Sequence, residues 1–203
     1  MEWLAIASNV TFRAMPALRK SLMSVDEFLP WAEQQSERWE LFDGIAVSMS
    51  PERVIHGDTK YRAARAFDEA IGKAGVPCRF VLDSAAVRID ARNSYQPDLL
   101  VYCGEPLSGD ATVVPDPVIV LEVLSPGNAM KDLRDKLQGY FRVPSIRHYL
   151  VVDPDKRIVI HHARGNSEEI ATRIVSEGNV VLDPPGLTVP LAAIFSAGAQ
   201  TQR

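Results

Sequence analysis

Two carboxylates occur in apolar surroundings that ordinarily exclude charge. Glu122 lies near the end of the apolar run 118–124, and Asp98 follows Pro97 at the start of a second apolar run, 99–103. An ionised carboxylate buried among such residues costs on the order of several kcal/mol unless it is paired, hydrogen-bonded or bound to a metal. Asp98 and Glu122 are therefore candidate ligands of a cation or candidate acid–base groups.

The two apolar runs are predicted to be neighbouring strands. Continuous runs of β-branched and aliphatic residues are typical of strands that are buried on both faces. The segment 104–116 between them is rich in glycine and proline and indicates a surface loop, so antiparallel pairing is the simplest connection. That pairing brings Asp98 and Glu122 together, although the register, and hence whether their side chains share a face, stays open.

A helix is predicted over residues 129–142, directly after Glu122. Asp132, Lys136 and Tyr140 fall at successive four-residue steps on a face beside the apolar stripe. Lys136 could therefore reach back over the sheet edge and orient a water molecule, with Asp132 steadying its ammonium. The alternative is a surface lysine whose methylene groups cover apolar residues.

The ligand types favour magnesium. Mg²⁺ prefers one or two carboxylates together with water and phosphate oxygens, and Asp98 with Glu122 matches that preference better than any cysteine or histidine pattern in the chain. His161 and His162 are adjacent on a predicted strand, so they face opposite sides and cannot share one ion. Mg²⁺ is the expected cofactor, with Mn²⁺ as the alternative.

Shorter patterns predict the remaining elements. Ser24 and Glu27 form a capping box before a helix predicted over 25–35, and Asp43-Gly44 predicts a hairpin turn with Glu40 on its first strand. A further helix is predicted over 53–73, because its apolar residues recur at helical spacing and Gly75 follows as a cap.

The order of these motifs resembles that of the Uma-type restriction endonuclease family, a branch of the PD-(D/E)XK phosphodiesterase superfamily. The resemblance spans about residues 24–195. The segments that carry it are Trp39–Gly44, Ser50-Pro51 with His56, Tyr95–Asp98, Val120–Pro126, Asp132-x-x-x-Lys136-x-x-x-Tyr140, Tyr149–Pro154 and Leu187–Phe195.

This resemblance implies an α/β fold with a restriction-endonuclease-like core, in which helices flank a mixed central β-sheet. It also implies Mg²⁺-dependent hydrolysis of phosphodiester bonds in DNA, by an active site of Glu40, Asp98, Glu122 and a lysine. Leu124 stands where the superfamily motif places its lysine. The resemblance therefore points to Lys136 on the next helix, with Lys131 as a weaker substitute.

Under this hypothesis Asp98, Glu122 and the Val123 carbonyl hold the metal ion. Glu40 would act through a water molecule or a second ion, and Lys136 would position the attacking water. The structural alternatives are a buried ion pair for Glu122 and an exposed hairpin position for Glu40.

His56, Lys60 and Lys131 are expected nucleic-acid contacts. Lys60 belongs to a candidate basic face of the helix predicted over 53–73, for which the alternative is an ordinary solvated face, and His56 has a structural role as its alternative. Two other functions compete with the nuclease: a nuclease fold with weakened catalysis that binds nucleic acid or a protein partner, and a hydrolase of small phosphate esters.

Length, charge and composition limit the domain count and the kinds of partner that the chain could have. A chain of 203 residues fits one domain, predicted over 24–196, with a loosely ordered leader at 1–23 and a flexible tail at 197–203. The net charge of −4 gives no global attraction to nucleic acid, so any such contact must rest on local patches. No segment approaches the ~20 apolar residues of a membrane span.

The cysteines and the expected reaction predict compartment and assembly. Cys78 and Cys103 are too few for a disulfide scaffold and lack zinc-ligand spacing, so free thiols in a cytoplasmic protein are expected. A homodimer is expected, because a small nuclease cuts both strands most easily as a symmetric pair.

Overall fold

The fold comes from a computed structural model, which describes residues 22–125, 129–165 and 169–195. Apart from Leu22 and Met23, the predicted leader lies outside the described residues, as does the predicted tail. Side chains of residues 129–132 also lie outside them, and these include Lys131 and Asp132. The helices are α1 (Val25–Ala32), α2 (Val54–Ala74), α3 (Ala129–Tyr140) and α4 (Leu191–Ile194).

A mixed sheet organises the described part of the chain. The strands are β1 (Trp39–Phe42), β2 (Ile45–Ser48), β3 (Cys78–Leu82), β4 (Val87–Arg88), β5 (Ser94–Tyr95), β6 (Leu99–Cys103), β7 (Pro117–Val123), β8 (His148–Asp153), β9 (Ile158–Arg164), β10 (Ile170–Val175), β11 (Asn179–Leu182) and β12 (Leu187–Pro190). Six of them form the mixed sheet in the order β10-β9-β8-β7-β6-β3, and β7 pairs parallel with β8 while the other neighbours are antiparallel. The predicted mixed central sheet flanked by helices is therefore confirmed.

The two faces of this sheet bury separate cores. Ile119, Leu121 and Val123 of β7 pack in a cluster with α2, β11, β12 and α4. Val120, between them, belongs to the cluster that contains Tyr140 of α3 and residues of the small sheet β2-β1-β5-β4. Because side chains alternate along a strand, Glu122 lies on the same face as Val120 and therefore faces α3.

Local patterns account for the helix and turn boundaries. The capping box before α1 forms as predicted, although α1 ends at Ala32, earlier than expected. Asp43 and Gly44 have φ angles of 48° and 79°, which the tight turn between β1 and β2 requires. Gly75 ends α2 with a φ of 63°, a left-handed conformation that favours glycine.

The cysteines correct a prediction. Cys78 and Cys103 are directly opposite in the antiparallel β3–β6 pair and are joined by a disulfide bond. The expectation of free thiols is therefore wrong. Strand register places the two residues together, and a sequence separation of 25 residues does not reveal register. The cytoplasmic location loses the support that free thiols would have given it.

Helix length and polarity bear on the membrane question. Among the described residues, no helix is long and apolar enough to span a bilayer.

Candidate active site

The β6–β7 register brings the carboxylates of Asp98 and Glu122 to the same end of the sheet. Leu99 is opposite Leu121, so the positions of Asp98 and Glu122 follow as the next opposed pair. The Val123 amide donates a hydrogen bond to Asp98 Oδ2 at 2.7 Å, which fixes Asp98 against the end of β7. Both carboxylates are buried, with Asp98 3% and Glu122 8% exposed.

Lys136 joins Glu122 to Glu40. Its ammonium lies 2.9 Å from Glu122 Oε1 and 3.0 Å from Glu40 Oε1, and the lysine is itself buried. The Gln96 amide donates to the same Glu40 oxygen at 2.8 Å, and the Tyr140 hydroxyl donates to Glu122 Oε1 at 2.6 Å. Strand β1, strand β7 and helix α3 therefore meet at one buried ion-pair network.

A second network surrounds Asp98. Lys60, on the inward face of α2, lies 3.0 Å from Asp98 Oδ1, 2.6 Å from Glu52 and 2.9 Å from Asp83. His56, one turn before Lys60, places Nε2 3.2 Å from Asp98 Oδ2. Asp98 therefore connects the start of α2 to the end of β7.

The two networks shift the carboxylate pKa values in opposite directions. Burial alone would raise the pKa of Asp98, but the His56 hydrogen bond, the Lys60 charge and the Val123 amide lower it to about 2. Burial raises the pKa of Glu122 to about 8; Lys136 opposes this rise, while the charges of Asp98 and Glu40 add to it. Asp98 is therefore ionised at neutral pH, whereas burial favours the protonated form of Glu122 unless a cation lies beside it.

Burial and neighbouring charges also shift the pKa values of Lys60 and Tyr140. Burial alone would lower the pKa of Lys60, but the charge of Asp98 and the hydrogen-bonded carboxylates raise it above its ordinary value. Burial and the charge of Glu122 raise the pKa of Tyr140. Lys60 therefore stays an ammonium and Tyr140 a hydrogen-bond donor.

Carboxyl groups outnumber lysine and arginine side chains at the site. Among the described residues, the joined networks contain more carboxylates than lysine or arginine side chains. Such an excess is typical of a site that takes up a divalent cation. The carboxylates are Glu40, Glu52, Asp83, Asp98 and Glu122, and the permanent cations are Arg38, Lys60 and Lys136.

Comparison with known proteins adds the family. A family model described as "Putative restriction endonuclease", Uma2, matches residues 25–193. The chain belongs to the Uma2 family. The family resemblance found in the sequence is thereby confirmed, and the family description is that of a nuclease.

Relatives of this Uma2 chain extend the comparison. The uncharacterized protein slr1290 of Synechocystis sp. is 25% identical over 175 residues, which cover 85% of this chain and 91% of the relative. A crystal structure of a "putative nuclease belonging to DUF820" from Anabaena variabilis has a TM-score of 0.68 at 18% identity, covering 86% of this chain and 98% of that chain. This likeness shows that the two chains share a fold.

The Uma2 fold brings the four predicted catalytic residues into two neighbouring networks. Glu40, Glu122 and Lys136 share ion pairs, and Asp98 lies at the adjoining strand start. Glu40 is buried on β1, so the alternative of an exposed hairpin residue is wrong for it. Lys136 is also buried, so it is not a surface lysine.

His56 and Lys60 do not belong to the basic face that the sequence predicted for α2. Both are buried at the start of α2, 4% and 3% exposed, and both contact Asp98. The helix turns them inward because they lie four residues apart on the side of α2 that packs on the sheet. The side chain of Lys131, the third expected nucleic-acid contact, lies outside the described residues.

Sequence reasoning missed Glu52 and Asp83, which complete the network around Lys60. Glu52, His56 and Lys60 are spaced by four residues, but Glu52 precedes the N-cap of α2, Arg53, so helical spacing does not place it beside Lys60. Its contact depends on how the chain enters α2. Asp83 carried no signal either, since it follows β3 in a turn with a φ of 58°.

An open cleft reaches this region from the surface. It has a volume of about 550 Å³ and is lined by residues of the β1–β2 hairpin and of the segment before α2. Glu52 lies in its lining and belongs to the Lys60 network. The lining residues are Glu37, Arg38, Ser48, Met49, Ser50, Pro51 and Glu52.

Proposed function

We propose that this chain is a Mg²⁺-dependent endonuclease that hydrolyses phosphodiester bonds in DNA. The observation that carries the proposal is the position of Lys136, whose ammonium contacts both Glu40 and Glu122 beside Asp98. Leu124 occupies the position at which the superfamily motif has its lysine, and Lys136 supplies the missing ammonium from α3. Family membership supports the nuclease function.

The donor atoms fit Mg²⁺. Asp98, Glu122 and the Val123 carbonyl would hold the ion, and oxygen ligands of this kind are the ones that Mg²⁺ prefers. Lys136 and Tyr140 both contact Glu122 at Oε1, so Oε2 is the atom that we assign to the ion. When bound, the ion would polarise the phosphate and lower the pKa of a water ligand.

The protein groups around this position have separable roles. Lys136 would orient the attacking water and balance negative charge as it develops on the phosphate. Glu40 holds the ammonium of Lys136, and Tyr140 holds the carboxylate of Glu122. Lys60 fixes Asp98 from the other side, so both carboxylates are oriented before a ligand arrives.

Cleavage of supercoiled plasmid tests this proposal. We expect the wild-type protein to nick the plasmid with Mg²⁺ and to be inactive with EDTA. The variants Asp98→Ala and Glu122→Ala should lose at least about 100-fold in rate, because each removes a metal ligand. Glu69→Ala, an exposed carboxylate on α2, is the matched control and should cut as fast as the wild type.

Three results would count against the nuclease proposal. Equal nicking by the wild type and Glu122→Ala would show that this site does not perform the reaction. Plasmid binding without cleavage at any divalent-ion concentration would instead support the binding-module alternative. Faster turnover of a small phosphodiester than of DNA would favour the small-ester hydrolase.

A further inference from the structure

His56, Glu52 and Asp98 form a second group of ligand atoms that the magnesium position does not use in full. One ligand atom from each residue lies within 4.8 Å of the others. His56 Nε2 is 3.2 Å from Asp98 Oδ2 and 4.0 Å from Glu52 Oε2. His56 and Asp98 are buried, while Glu52 lines the open cleft, which offers a path from solvent.

Lys60 contacts only one of the two oxygens in each carboxylate of this group, Glu52 and Asp98. Its ammonium contacts Glu52 Oε1 and Asp98 Oδ1, whereas His56 faces Glu52 Oε2 and Asp98 Oδ2. The lysine thereby anchors one oxygen of each carboxylate and directs the other toward the imidazole. A site oriented in this way needs little rearrangement to take up a cation.

The distances from His56 Nε2 to the two carboxylate oxygens suit a metal ion with bonds of about 2.1 Å. In octahedral coordination at that distance, adjacent ligand atoms lie about 3.0 Å apart and opposite atoms about 4.2 Å apart. The His56–Asp98 separation of 3.2 Å corresponds to adjacent ligands, and the His56–Glu52 separation of 4.0 Å corresponds to opposite ligands. Asp98 Oδ2 also accepts the Val123 amide, and a carboxylate oxygen has lone pairs for both partners.

Ser125 allows His56 to act as a ligand. Its hydroxyl lies 3.0 Å from His56 Nδ1. A hydroxyl can donate or accept, so Ser125 can accept a hydrogen bond from Nδ1–H and leave the Nε2 lone pair for a metal ion. Without a metal, the reverse arrangement lets Nε2–H donate to Asp98.

We propose that Glu52, His56 and Asp98 form a second cation site that selects a transition ion such as Co²⁺ or Zn²⁺ over Mg²⁺. Imidazole is a ligand for the borderline transition ions, whereas Mg²⁺ prefers oxygen alone. Asp98 is shared with the magnesium position, so the two ions would be neighbours. The role of this site in cleavage rests on the proposed function, but its existence does not.

Direct binding of Co²⁺ tests the site without any cleavage reaction. Metal-free wild-type protein is titrated with Co²⁺ by calorimetry and by visible absorption, and with Mg²⁺ by calorimetry. We expect His56→Ala to weaken Co²⁺ binding at this site by more than about tenfold, since a ligand is lost, while Mg²⁺ affinity changes little. Glu122→Ala should give the reverse pattern, with Mg²⁺ affinity lost and the histidine-dependent Co²⁺ spectrum kept.

Controls separate misfolding from loss of the ligand. His162→Ala removes a histidine on β9 that contacts Thr172, and it should bind Co²⁺ as the wild type does. Glu52→Gln removes a second ligand from the cleft side and should also weaken Co²⁺ binding. Each variant is accepted only with a wild-type circular dichroism spectrum, and Co²⁺ bound to wild-type crystals provides a measurement independent of the variants.

The outcomes distinguish this inference from the nuclease proposal. Wild-type Co²⁺ affinity in both His56→Ala and Glu52→Gln, or crystalline Co²⁺ away from His56, would overturn the second site. Loss of Mg²⁺-dependent nicking in Glu122→Ala would still support the nuclease in that case. Conversely, histidine-dependent Co²⁺ binding in a protein that cuts no DNA would keep the site and remove the nuclease.

Discussion

At the residue scale, Lys136 accounts for how two glutamates can be buried side by side. Its ammonium contacts Glu40 and Glu122 within 3.0 Å, and the hydroxyl of Tyr140 supplies a further donor to Glu122. A buried charge without such partners would destabilise the fold by several kcal/mol, on the order of 3–5. The same lysine is thus required for the stability of the site and proposed for its chemistry.

Lys136→Met should slow cleavage while keeping nucleic-acid binding. The substitution keeps an unbranched side chain that is one atom shorter and removes the ammonium, so we expect the single-turnover rate to fall by about 10²-fold or more. Rapid-quench cleavage of a labelled duplex measures this rate. The exposed Lys73→Met serves as the control, and cleavage at the same rate by both variants would contradict the role of Lys136.

Glu122 should make the metal-free protein less stable as pH rises. Its pKa is about 8 in the folded protein against an ordinary value of 4.5, so the folded state binds the proton more tightly than the unfolded state does. Its contribution to stability is full below pH 4.5 and is lost as pH rises through 8.

Urea unfolding in EDTA between pH 5.5 and 8.5 measures this effect. We expect the wild type to lose stability relative to Glu122→Gln across the range, because the glutamine does not titrate. Subtracting the two profiles cancels the contributions of histidines that both proteins share. Parallel profiles would show that Glu122 titrates near its ordinary pKa.

At the scale of elements, the site depends on how closely α3 approaches the small sheet. Gly139 faces the ring of Tyr95, and a Cβ at this position would overlap that ring. Tyr95 also packs edge-on against Tyr140 at a ring separation of 5.5 Å. The absence of a side chain at Gly139 therefore lets α3 bring Lys136 and Tyr140 onto β7.

Gly139→Ala should damage both stability and activity. The added methyl group forces α3 away from Tyr95, so we expect a loss of about 1–3 kcal/mol in the free energy of unfolding, together with slower cleavage. Gly72→Ala is the matched control, since Gly72 is exposed on α2 with no atom within 4 Å of an added Cβ. Thermal and urea unfolding compare the two; equal stability would show that α3 does not need this close approach.

Particular residues show how far the sequence predicts the elements. The apolar runs and the loop between them predicted the β6–β7 pair, and the Asp-Gly turn placed Glu40 on β1. Periodicity alone assigned Lys60 to an exposed basic face, whereas packing of α2 turns it inward onto Asp98. Only the tertiary arrangement decides which side of a long helix meets the sheet.

At the scale of the whole molecule, the candidate site lies where three separate parts of the chain converge. Glu40 comes from the N-terminal hairpin, Asp98 and Glu122 from the central sheet, and Lys136 from α3. Residue patterns predicted Asp98, Glu122 and Lys136 as candidates, and the family resemblance added Glu40. The contacts of Glu52 and Asp83 with Lys60 required the fold, because they depend on the turn after β3 and on the start of α2.

The proposed homodimer belongs to this scale as well. A single site cuts one strand at a time, so cleavage of both strands at one position is easiest with two sites in opposite orientations. We expect light scattering coupled to size-exclusion chromatography to give twice the mass of 22.4 kDa. A monomer that only nicks plasmid would contradict the dimer and leave the single-strand chemistry intact.

The most direct test of the central claim is the position of a divalent ion in a crystal grown with Mn²⁺. An anomalous difference map should show a peak about 2.1 Å from carboxylate oxygens of both Asp98 and Glu122, with the ammonium of Lys136 beside it. A further peak at His56 would be consistent with the second site. Ordered Mn²⁺ elsewhere in the map, with none bonded to Asp98 or Glu122, would contradict the account.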